Sequence, residues 1–321
     1  MQGLTLPADS GMGMSLEMVE RARVEGEDTL IMALTYRCNS RCRFCIIEAE
    51  IQERLDETDL SVFEEIFAFN GPRRQWKRLT LSGAEVTLHP ALESIAREAT
   101  TRGGFEVVRI QTNARRLKDP AYTRALYDAG IREYFVSIHA HTPELDARIT
   151  RSRRSFLELR AGLASLRAVG ARILSNTVVS VDNAAELPAI ARFLIAEGIR
   201  ESQLWSFLEI GEAGQGEQLV RLEDAMPQVL RALALFEAVG TETVVKWFPR
   251  CLLGRFGALL DNHQPQMLIR DEFQSRLSDG FVFGCAHEAD CRWFGRGCDG
   301  LHERYTQRFG DEADNLRPEA R

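Results

Sequence analysis

The sequence lacks the features that mark membrane, secreted and nucleic-acid-binding proteins. No uninterrupted apolar run approaches the roughly 18 residues from which a membrane span begins. The N-terminus, MQGLTLPADSGMGMSLEMVERARVEGED, has no basic head followed by an apolar stretch and therefore no secretory signal. The net charge of −7 argues against general nucleic-acid binding. We therefore expect a cytoplasmic protein that binds neither membranes nor nucleic acid.

Cysteine is also scarce, and its seven copies in 321 residues are unevenly placed. Three of them, Cys38, Cys42 and Cys45, fall in the segment TYRCNSRCRFC with the spacing C-x3-C-x2-C. In a chain without a secretory signal, this clustering favours metal ligation or catalysis over disulfides. Three thiolates on one loop are able to hold three irons of a [4Fe–4S] cluster, which leaves the fourth iron open to a small chelating molecule.

Two further considerations bear on this cysteine segment. A structural zinc site of three cysteines and a histidine is the alternative, but zinc sites usually pair C-x2-C units, which the spacing here does not match. Arg37, Arg41 and Arg43 lie among the cysteines. We expect their positive charge to lower the thiol pKa and so to favour ligation.

The chain up to residue 210 alternates between strand and helix patterns. Apolar runs predict six strands, at residues 29–36, 77–83, 105–113, 133–140, 171–180 and 202–210. Helical patterns separate them and short turns join them, which is typical of a parallel sheet with helices packed outside. We predict an α/β fold with a curved, partly open (βα)6 barrel, two units short of the closed eightfold barrel. Chemistry in such sheets gathers where the strands end.

A change in composition predicts a second, smaller domain. The Gly-rich segment GEAGQGEQ (211–218) is interpreted as a linker. A helix near 223–239, a strand at 243–249 and a tail rich in glycine, aromatic residues and cysteine follow it. We therefore divide the chain into an N-terminal extension (1–28), a core (29–212) and a small C-terminal α+β domain (213–321).

Residues 29–210 resemble the radical S-adenosylmethionine (SAM) enzymes, because the cysteine motif and several strand-end motifs follow one another in the family's order. Cys38, Cys42 and Cys45 look like the family's cluster ligands, and Phe44 stands at the aromatic position that lies against the adenine in the family. The SGAE motif at the second strand end resembles the family's Gly-Gly-Glu motif, which holds the amino group of the methionine moiety. Its residues are Ser82, Gly83, Ala84 and Glu85, with alanine in place of a glycine.

Three later strand ends also resemble the family's pattern. QTNA (111–114) and SIHA (137–140) match positions that touch the ribose and carboxylate of SAM, and SNTVV (175–179) resembles the family's fifth strand. The resemblance implies cofactor contacts from Thr112, Asn113, Ser137, His139 and Asn176. For each residue taken singly, the alternative is an ordinary strand-end cap or a loop histidine with satisfied hydrogen bonds.

The resemblance implies a cofactor set and a mechanism. The open iron of the [4Fe–4S] cluster chelates SAM, and a low-potential donor of the flavodoxin or ferredoxin type supplies one electron. SAM then breaks down to methionine and a 5′-deoxyadenosyl radical, which abstracts hydrogen from an unactivated C–H bond. The cofactor performs this chemistry, while the protein places the target hydrogen and excludes water.

The other four cysteines, Cys251, Cys285, Cys291 and Cys298, fall in the C-terminal region. Four thiolates suit a second [4Fe–4S] cluster or a four-cysteine zinc site, and their spacing does not choose between the metals. Such a segment after this core looks like the family's auxiliary-cluster twitch (short SPASM-like) domain, which implies iron. Unligated thiols in a packed tail are a third interpretation. If Cys251 is not a ligand, it becomes a candidate catalytic residue that returns a hydrogen atom to a substrate radical.

The resemblance leaves the substrate open. Relatives with a short auxiliary domain oxidise a carbon of a small sugar-like metabolite, or crosslink or epimerise ribosomally made peptides. About 28 residues precede the first strand, too few for a fused peptide-leader-binding domain. We therefore expect a small molecule, or a peptide delivered without such a domain.

Two rival functions and one charged segment remain. A zinc-binding interaction module is the non-enzymatic alternative, and it predicts neither brown colour nor 5′-deoxyadenosine. An RNA-modifying enzyme is disfavoured by the acidic charge and by the lack of an RNA-binding appendage. The segment RITRSRRSFLELR (148–160) is interpreted as a solvated helix entrance, with binding of a phosphate or an acidic peptide as its alternative.

Overall fold

A parallel eight-stranded sheet organises the computed structural model, which describes residues 27–211 and 217–320. The strands follow the order β7-β6-β5-β4-β3-β2-β1-β8, so each strand from β1 to β6 lies beside its successor in sequence. This order is that of a half-barrel with helical crossovers on one face. The strands are β1 Thr29–Thr35, β2 Arg78–Gly83, β3 Val107–Thr112, β4 Ile131–Ser137, β5 Arg172–Val179, β6 Glu201–Ser206, β7 Glu242–Lys246 and β8 Gln266–Leu268.

Helices fill the connections between the strands. In the described residues they are α1 Ala49–Arg54, α2 Leu60–Arg73, α3 Leu92–Thr101, α4 Pro120–Asp128, α5 Pro143–Thr150, α6 Ser155–Ala168, α7 Leu187–Ala196, α8 Leu222–Val239, α9 Asp271–Gly280 and α10 Glu303–Phe309. Several begin at a residue whose side chain accepts a backbone N–H, as Asp119 does for α4 and Thr142 for α5. These caps fix the residue at which each loop ends and its helix begins.

The main core lies between the sheet and its helices. Alternate residues of β1, Leu30, Met32 and Leu34, face this layer and are almost fully buried. Phe63 and Phe67 of α2 lie in the same cluster, spaced four residues apart on one helix face. Burying each such side chain contributes roughly 1.5–3 kcal/mol. The helix layer therefore anchors the sheet and leaves its inner face for function.

The inner face of the sheet carries charged groups toward the N-terminal ends of the strands. Glu133 on β4 accepts from Arg78 on β2 and Arg109 on β3, each at 2.7 Å. Although burial works to raise it, the two guanidinium groups hold the pKa of Glu133 below its usual value. Arg172 on β5 continues this network to Glu201 on β6 at 3.3 Å. This layer of charged side chains fills the half-barrel at the N-terminal ends of its strands.

The observed sheet confirms the predicted fold class and is wider than predicted. The six predicted strands correspond to β1–β6. The strand predicted at 243–249 forms as β7, but it pairs with β6 in the main sheet, and β8 pairs with β1 at the opposite edge. The proposed C-terminal part therefore contributes two strands to the core sheet. The boundary at 212/213 lies outside the described residues and stays a prediction, as does the extension at 1–28, of which only residues 27 and 28 are described.

Residues 260–268 link the two edges of the sheet. Leu260 forms a bridge with Val245 of β7, and the N–H of Asp261 donates to the Val245 carbonyl at 3.0 Å. The same segment then becomes β8 beside β1. One short stretch of chain therefore spans the open side of the half-barrel.

The C-terminal tail has little regular structure beyond α9 and α10. A 3₁₀-helical segment, Arg250–Leu259, follows β7, and a two-residue ladder pairs β9 (Phe283–Gly284) with β10 (Leu301–His302). Across residues 27–211 and 217–320, no helix is both long and apolar enough to cross a membrane.

Candidate functional site

The loop after β1 brings three cysteines to one cavity. Cys38, Cys42 and Cys45 all line a cavity of about 790 Å³ at the C-terminal edge of the sheet. The N–H groups of Arg41 and Arg43 donate to the last carbonyls of α5, at 3.2 and 3.0 Å. Because these carbonyls have no partner within the helix, the pairing satisfies them and fixes the loop.

Two arginines brace the same loop through their side chains. Arg115, after β3, pairs with Glu158 at 2.7 Å and donates to the Asn39 carbonyl and to Ser40 Oγ. Arg43 binds both carboxylate oxygens of Asp182, at 2.9 and 3.0 Å. The loop is therefore held from β3, from α6 and from the β5–α7 connection before any cofactor binds.

The prediction that the local arginines lower the thiol pKa is wrong for this structure. Burial raises the pKa of Cys38 and Cys42, and raises the pKa of Cys45 to about 12. Arg43 is paired with Asp182, and the Arg37 and Arg41 side chains are exposed, so their charge reaches the buried sulfurs weakly. Ligation must therefore drive the protons off.

The three core thiols line one cavity, where each would be free to bind a separate iron of a cluster. In the described part of the chain, no three His, Cys, Asp or Glu side chains form a site for one metal ion. The three thiols around one cavity fit the cluster.

The SGAE motif packs the end of β2 tightly against β1. Gly83 has φ +119°, and a Cβ there would lie 2.2 Å from the Thr35 carbonyl oxygen. The N–H of Ala84 donates to that same oxygen at 2.8 Å. Glycine is therefore required at Gly83, while the methyl group of Ala84 is accommodated. Ser82 precedes them at the strand end, buried.

Glu85 links the ends of β2 and β3. Its fully buried carboxylate accepts from the Thr87 N–H at 3.1 Å, from Thr112 Oγ1 at 2.7 Å and from the Asn113 N–H at 2.7 Å. Burial raises its pKa, against these hydrogen bonds. The carboxylate thus positions the motif internally, and Thr112 acts as its partner. A direct contact between Glu85 and a ligand amine stays a prediction.

Asn113 brings the end of β3 to the cysteine loop. Its Nδ2 donates to Asn39 Oδ1 at 2.7 Å and lies 3.9 Å from Cys38 Sγ. Its Oδ1 accepts from the Arg115 N–H at 3.0 Å. The amide therefore sits at the junction of the QTNA motif and the thiol cavity.

The ends of β4 and β5 present a buried donor. Ser137 and Asn176 are paired in register across the two strands. Asn176 is 8% exposed, and its Nδ2 has no hydrogen-bond partner. An unsatisfied buried donor costs about 1–3 kcal/mol, which an oxygen-bearing ligand would recover. The site thus fits a ligand with carboxylate or hydroxyl groups.

His139 and Phe44 form an aromatic pair beside this donor. Their rings meet edge-on with centroids 4.7 Å apart. Burial lowers the pKa of His139 to about 3, so the ring is neutral. Its Nδ1 accepts from the Val178 N–H at 3.1 Å, which leaves the proton on Nε2. The pair connects the cysteine loop to β4 and β5.

The remaining four cysteines meet at a second cavity in the tail. Cys251, Cys285, Cys291 and Cys298 all line it, although Cys251 is far from the others in sequence. His287 also lines it, and its Nε2 lies 2.9 Å from the Ala313 carbonyl. Among the described residues, these side chains do not form a site for a single metal ion.

Three contributors were missed by reasoning from sequence. Arg115 and Asp182 brace the cysteine loop from distant segments, and no local pattern marks them. Trp247 directly follows β7 at φ +61°, an unusual backbone for a bulky residue. Its indole packs between the rings of Trp205 and Phe281, with ring centroids 5.1 Å and 5.8 Å away. It therefore packs β6 of the sheet against the segment that follows α9.

The fold is that of several solved structures with SAM or peptide bound. Native anSMEcpe with bound AdoMet and Cp18Cys peptide matches with a TM-score of 0.60 and 12% identity, over 91% of this chain and 92% of that one. Streptococcus suis SuiB bound to precursor peptide SuiA matches with a TM-score of 0.58 and 15% identity, over 81% and 61%. At these identities the likeness concerns the fold alone.

A parallel half-barrel with a thiol cavity at its strand ends defines an iron–sulfur enzyme. The family model of the Radical SAM superfamily matches residues 32–194, half of the chain, and the chain therefore belongs to that superfamily. Its cofactors are accordingly a [4Fe–4S] cluster and SAM, as the resemblance implied.

Curated relatives share the superfamily core. GTP 3′,8-cyclase 1 of Pseudomonas aeruginosa is 28% identical over 221 residues, 66% of this chain and 64% of the relative. GTP 3′,8-cyclase of Rhizobium leguminosarum bv. trifolii is 29% identical over 179 residues, 53% and 49%. The chain thus spans half to just under two thirds of the length of these relatives.

Proposed function

We propose that this radical SAM enzyme holds a second [4Fe–4S] cluster through Cys251, Cys285, Cys291 and Cys298, and acts on a C–H bond of a small metabolite. The observation that carries the auxiliary cluster is the convergence of four thiols, from two separate stretches of the chain, on one cavity. Chance packing of unligated thiols does not account for all four facing the same space.

The preference for iron over zinc rests on the superfamily to which the core belongs, whose own cofactor is a [4Fe–4S] cluster. Backbone N–H groups also point at the thiols, as Arg250 N does at 3.5 Å from Cys298 Sγ. Such N–H···S contacts tune the potential of an iron–sulfur cluster.

Four ligands suit a cluster that takes up an electron. A cubane held by four thiolates has no open iron for a substrate, so its role is redox. The alternative, a peptide maturase in which Cys251 returns a hydrogen atom, needs that thiol outside the cluster. Cys251 faces the same cavity as the other three, which supports the ligand role.

The core residues divide the work of holding the cofactors. Cys38, Cys42 and Cys45 would hold the first cluster, and the backbone around Gly83 with the Asn176 amide would hold SAM. When bound, the cluster and SAM together supply a carbon radical strong enough to remove hydrogen from an unactivated carbon. The neutral His139 and Phe44 would shield the adenosyl group from water.

The inner face of the sheet supports a small substrate with a planar ring and negative charge. Phe135 and Trp205 stand 6.1 Å apart on that face, and Lys246 lies beside Trp205 in register. The buried Lys246 ammonium donates to the His263 carbonyl at 2.6 Å and retains two further donors. The curated relatives are named for a reaction of GTP, so GTP is the first substrate to test. A peptide is the second candidate, favoured by the solved peptide complexes.

Iron and acid-labile sulfide per chain test the auxiliary cluster. Anaerobically reconstituted wild type is expected to hold about eight of each, as two cubanes require. Cys285→Ser/Cys298→Ser and Cys38→Ser/Cys42→Ser serve as matched variants, each expected to retain about four. About four irons in the wild type, or zinc in the tail, would contradict the proposal.

The reaction is tested separately by product analysis. With dithionite and SAM, the wild type is expected to form 5′-deoxyadenosine, and GTP is expected to raise its yield. The Cys285→Ser/Cys298→Ser variant should still cleave SAM but fail to complete turnover. If GTP has no effect and a peptide raises the yield instead, the small-metabolite proposal is wrong and the peptide maturase alternative is supported.

A further inference from the structure

We propose that Arg250 raises the reduction potential of the auxiliary cluster by placing an unpaired positive charge in the wall of the tail cavity. The tail cavity is the one lined by Cys251, Cys285, Cys291 and Cys298, and Arg250 lines it too. This role rests on the proposed function, because a second cluster must occupy that cavity. Reduction adds one electron to the cluster, while Arg250 takes up neither an electron nor a proton.

Packing contacts hold the Arg250 side chain against the tail. Its guanidinium lies over the Trp293 ring, with the Cζ atom 3.9 Å from the ring centroid. One Nη group donates to the Gly257 carbonyl, and a Cβ at Gly257 would lie only 3.3 Å from Arg250 Cζ. Trp293 itself lines the tail cavity. The positive charge therefore has a fixed place in the cavity wall.

The charge of Arg250 is not cancelled by an ion pair. Among residues 27–211 and 217–320, no acidic side chain forms an ion pair with it. Glu319, which lines the same cavity, lies within electrostatic reach of Arg250 but is ion-paired with Arg292. The buried Nε of Arg250 also has no hydrogen-bond partner in this part of the chain. An anionic group beside it would satisfy that donor.

The wall of the tail cavity contains few charged groups. Of the described residues that line it, Arg250 is the one lysine or arginine, and Glu319 is the one carboxylate. His287 lines it as well, and its Nε2 is engaged with the Ala313 carbonyl at 2.9 Å. The guanidinium of Arg250 is therefore the permanent positive charge of this wall.

A positive charge at this place favours the reduced state of a cluster. A cubane held by four thiolates is anionic, and it becomes more so when it gains an electron. A nearby positive charge therefore stabilises the reduced state more than the oxidised one, which raises the potential. The Arg250 side chain is half-buried against Trp293, where water screens its charge less than at an exposed site. A raised potential suits a cluster that accepts an electron during turnover.

Three single substitutions separate the charge of Arg250 from its packing. Arg250→Gln removes the charge but keeps a planar amide that packs on Trp293, and it leaves the backbone N–H that donates to Cys298 Sγ at 3.5 Å. Arg250→Lys keeps the charge. Arg255→Gln is the matched control, because Arg255 lies in the same 3₁₀-helical segment but is exposed, paired with Glu237 at 2.6 Å and outside the tail cavity.

A redox titration of the auxiliary cluster measures the effect of each substitution. The full chain carrying Cys38→Ser/Cys42→Ser, reconstituted anaerobically, is the parent, so that the electron paramagnetic resonance signal belongs to the auxiliary cluster. Arg250→Gln should weaken the electron affinity of the cluster about tenfold, which lowers its midpoint potential by about 59 mV. Arg250→Lys should recover most of that shift, and Arg255→Gln should titrate as the parent does.

The iron content separates failure of this role from failure of the proposed function. The parent and all three variants are expected to hold about four irons per chain. A parent without iron would refute the auxiliary cluster itself. With iron retained, an unchanged potential in Arg250→Gln overturns the role of Arg250 alone, and so does an equal shift in Arg250→Lys, because packing would then set the potential. Loss of iron from Arg250→Gln also overturns it, because the residue would then hold the cluster instead of tuning it.

Discussion

Two buried asparagines near the end of β5 differ in their hydrogen bonding. Asn183 is fully satisfied, since its Nδ2 donates to the His139 and Val178 carbonyls at 3.0 and 2.9 Å and its Oδ1 accepts from the Ser180 N–H. Asn176 has a buried Nδ2 with no partner. One residue therefore stabilises the loop, while the other holds a donor that only a ligand satisfies.

Alanine substitutions should separate these two roles. Asn183→Ala is expected to lower the free energy of unfolding by about 2–3 kcal/mol, because it orphans several buried groups. Asn176→Ala should cost less than about 1 kcal/mol, yet weaken SAM binding about tenfold. Urea unfolding and equilibrium dialysis of SAM on reconstituted protein measure the two effects. Equal stability losses with unchanged SAM affinity would refute a ligand-binding role for Asn176.

At the scale of elements, the site depends on how closely the ends of β1 and β2 approach. Ala84 N–H and Glu85 N–H donate to the Thr35 and Arg37 carbonyls, at 2.8 and 3.0 Å. This junction sets the cysteine loop next to the SGAE motif. It is possible only because Gly83 carries no side chain.

Two glycines with positive φ allow that junction to be tested. Gly83→Ala combines a forbidden backbone with a contact 2.2 Å from a carbonyl oxygen, so it should cost at least about 3 kcal/mol. Gly198→Ala, at φ +74° in open space, should cost only about 1 kcal/mol. Urea unfolding of both variants, with iron retained after gel filtration, is the measurement. Similar losses in the two variants would mean that backbone conformation alone matters.

The same scale explains what the sequence could predict. The alternation of apolar runs and helices was enough for β1–β6, since each element repeats a local pattern. The placement of β7 beside β6 and β8 beside β1 depends on long-range pairing, and the three residues of β8 carry no pattern of their own. Likewise, the motif Glu85 was identified by local sequence, but its engagement with Thr112 and Asn113 required the folded sheet.

At the scale of the whole molecule, the two cysteine centres stand in unequal surroundings. The core thiols are backed by an eight-stranded sheet and by ion pairs from distant segments. Residues 281–302 contain only the two-residue strands β9 and β10 and isolated bridges such as Phe294–Cys298. A segment with so few backbone ladders opens locally at low free energy. A bound cluster would therefore contribute most of its order.

Limited proteolysis should reveal this difference. In metal-free protein, cleavage is expected first between Cys285 and Cys298, while the sheet from β1 to β6 resists. Reconstitution should slow that cleavage about tenfold or more, because the cluster binds the folded tail and not the locally unfolded one. Cys298→Ser should keep the fast rate after reconstitution, whereas Cys42→Ser should be protected like the wild type. Mass spectrometry locates the cuts, and a cleavage rate independent of iron would show that packing alone holds the tail.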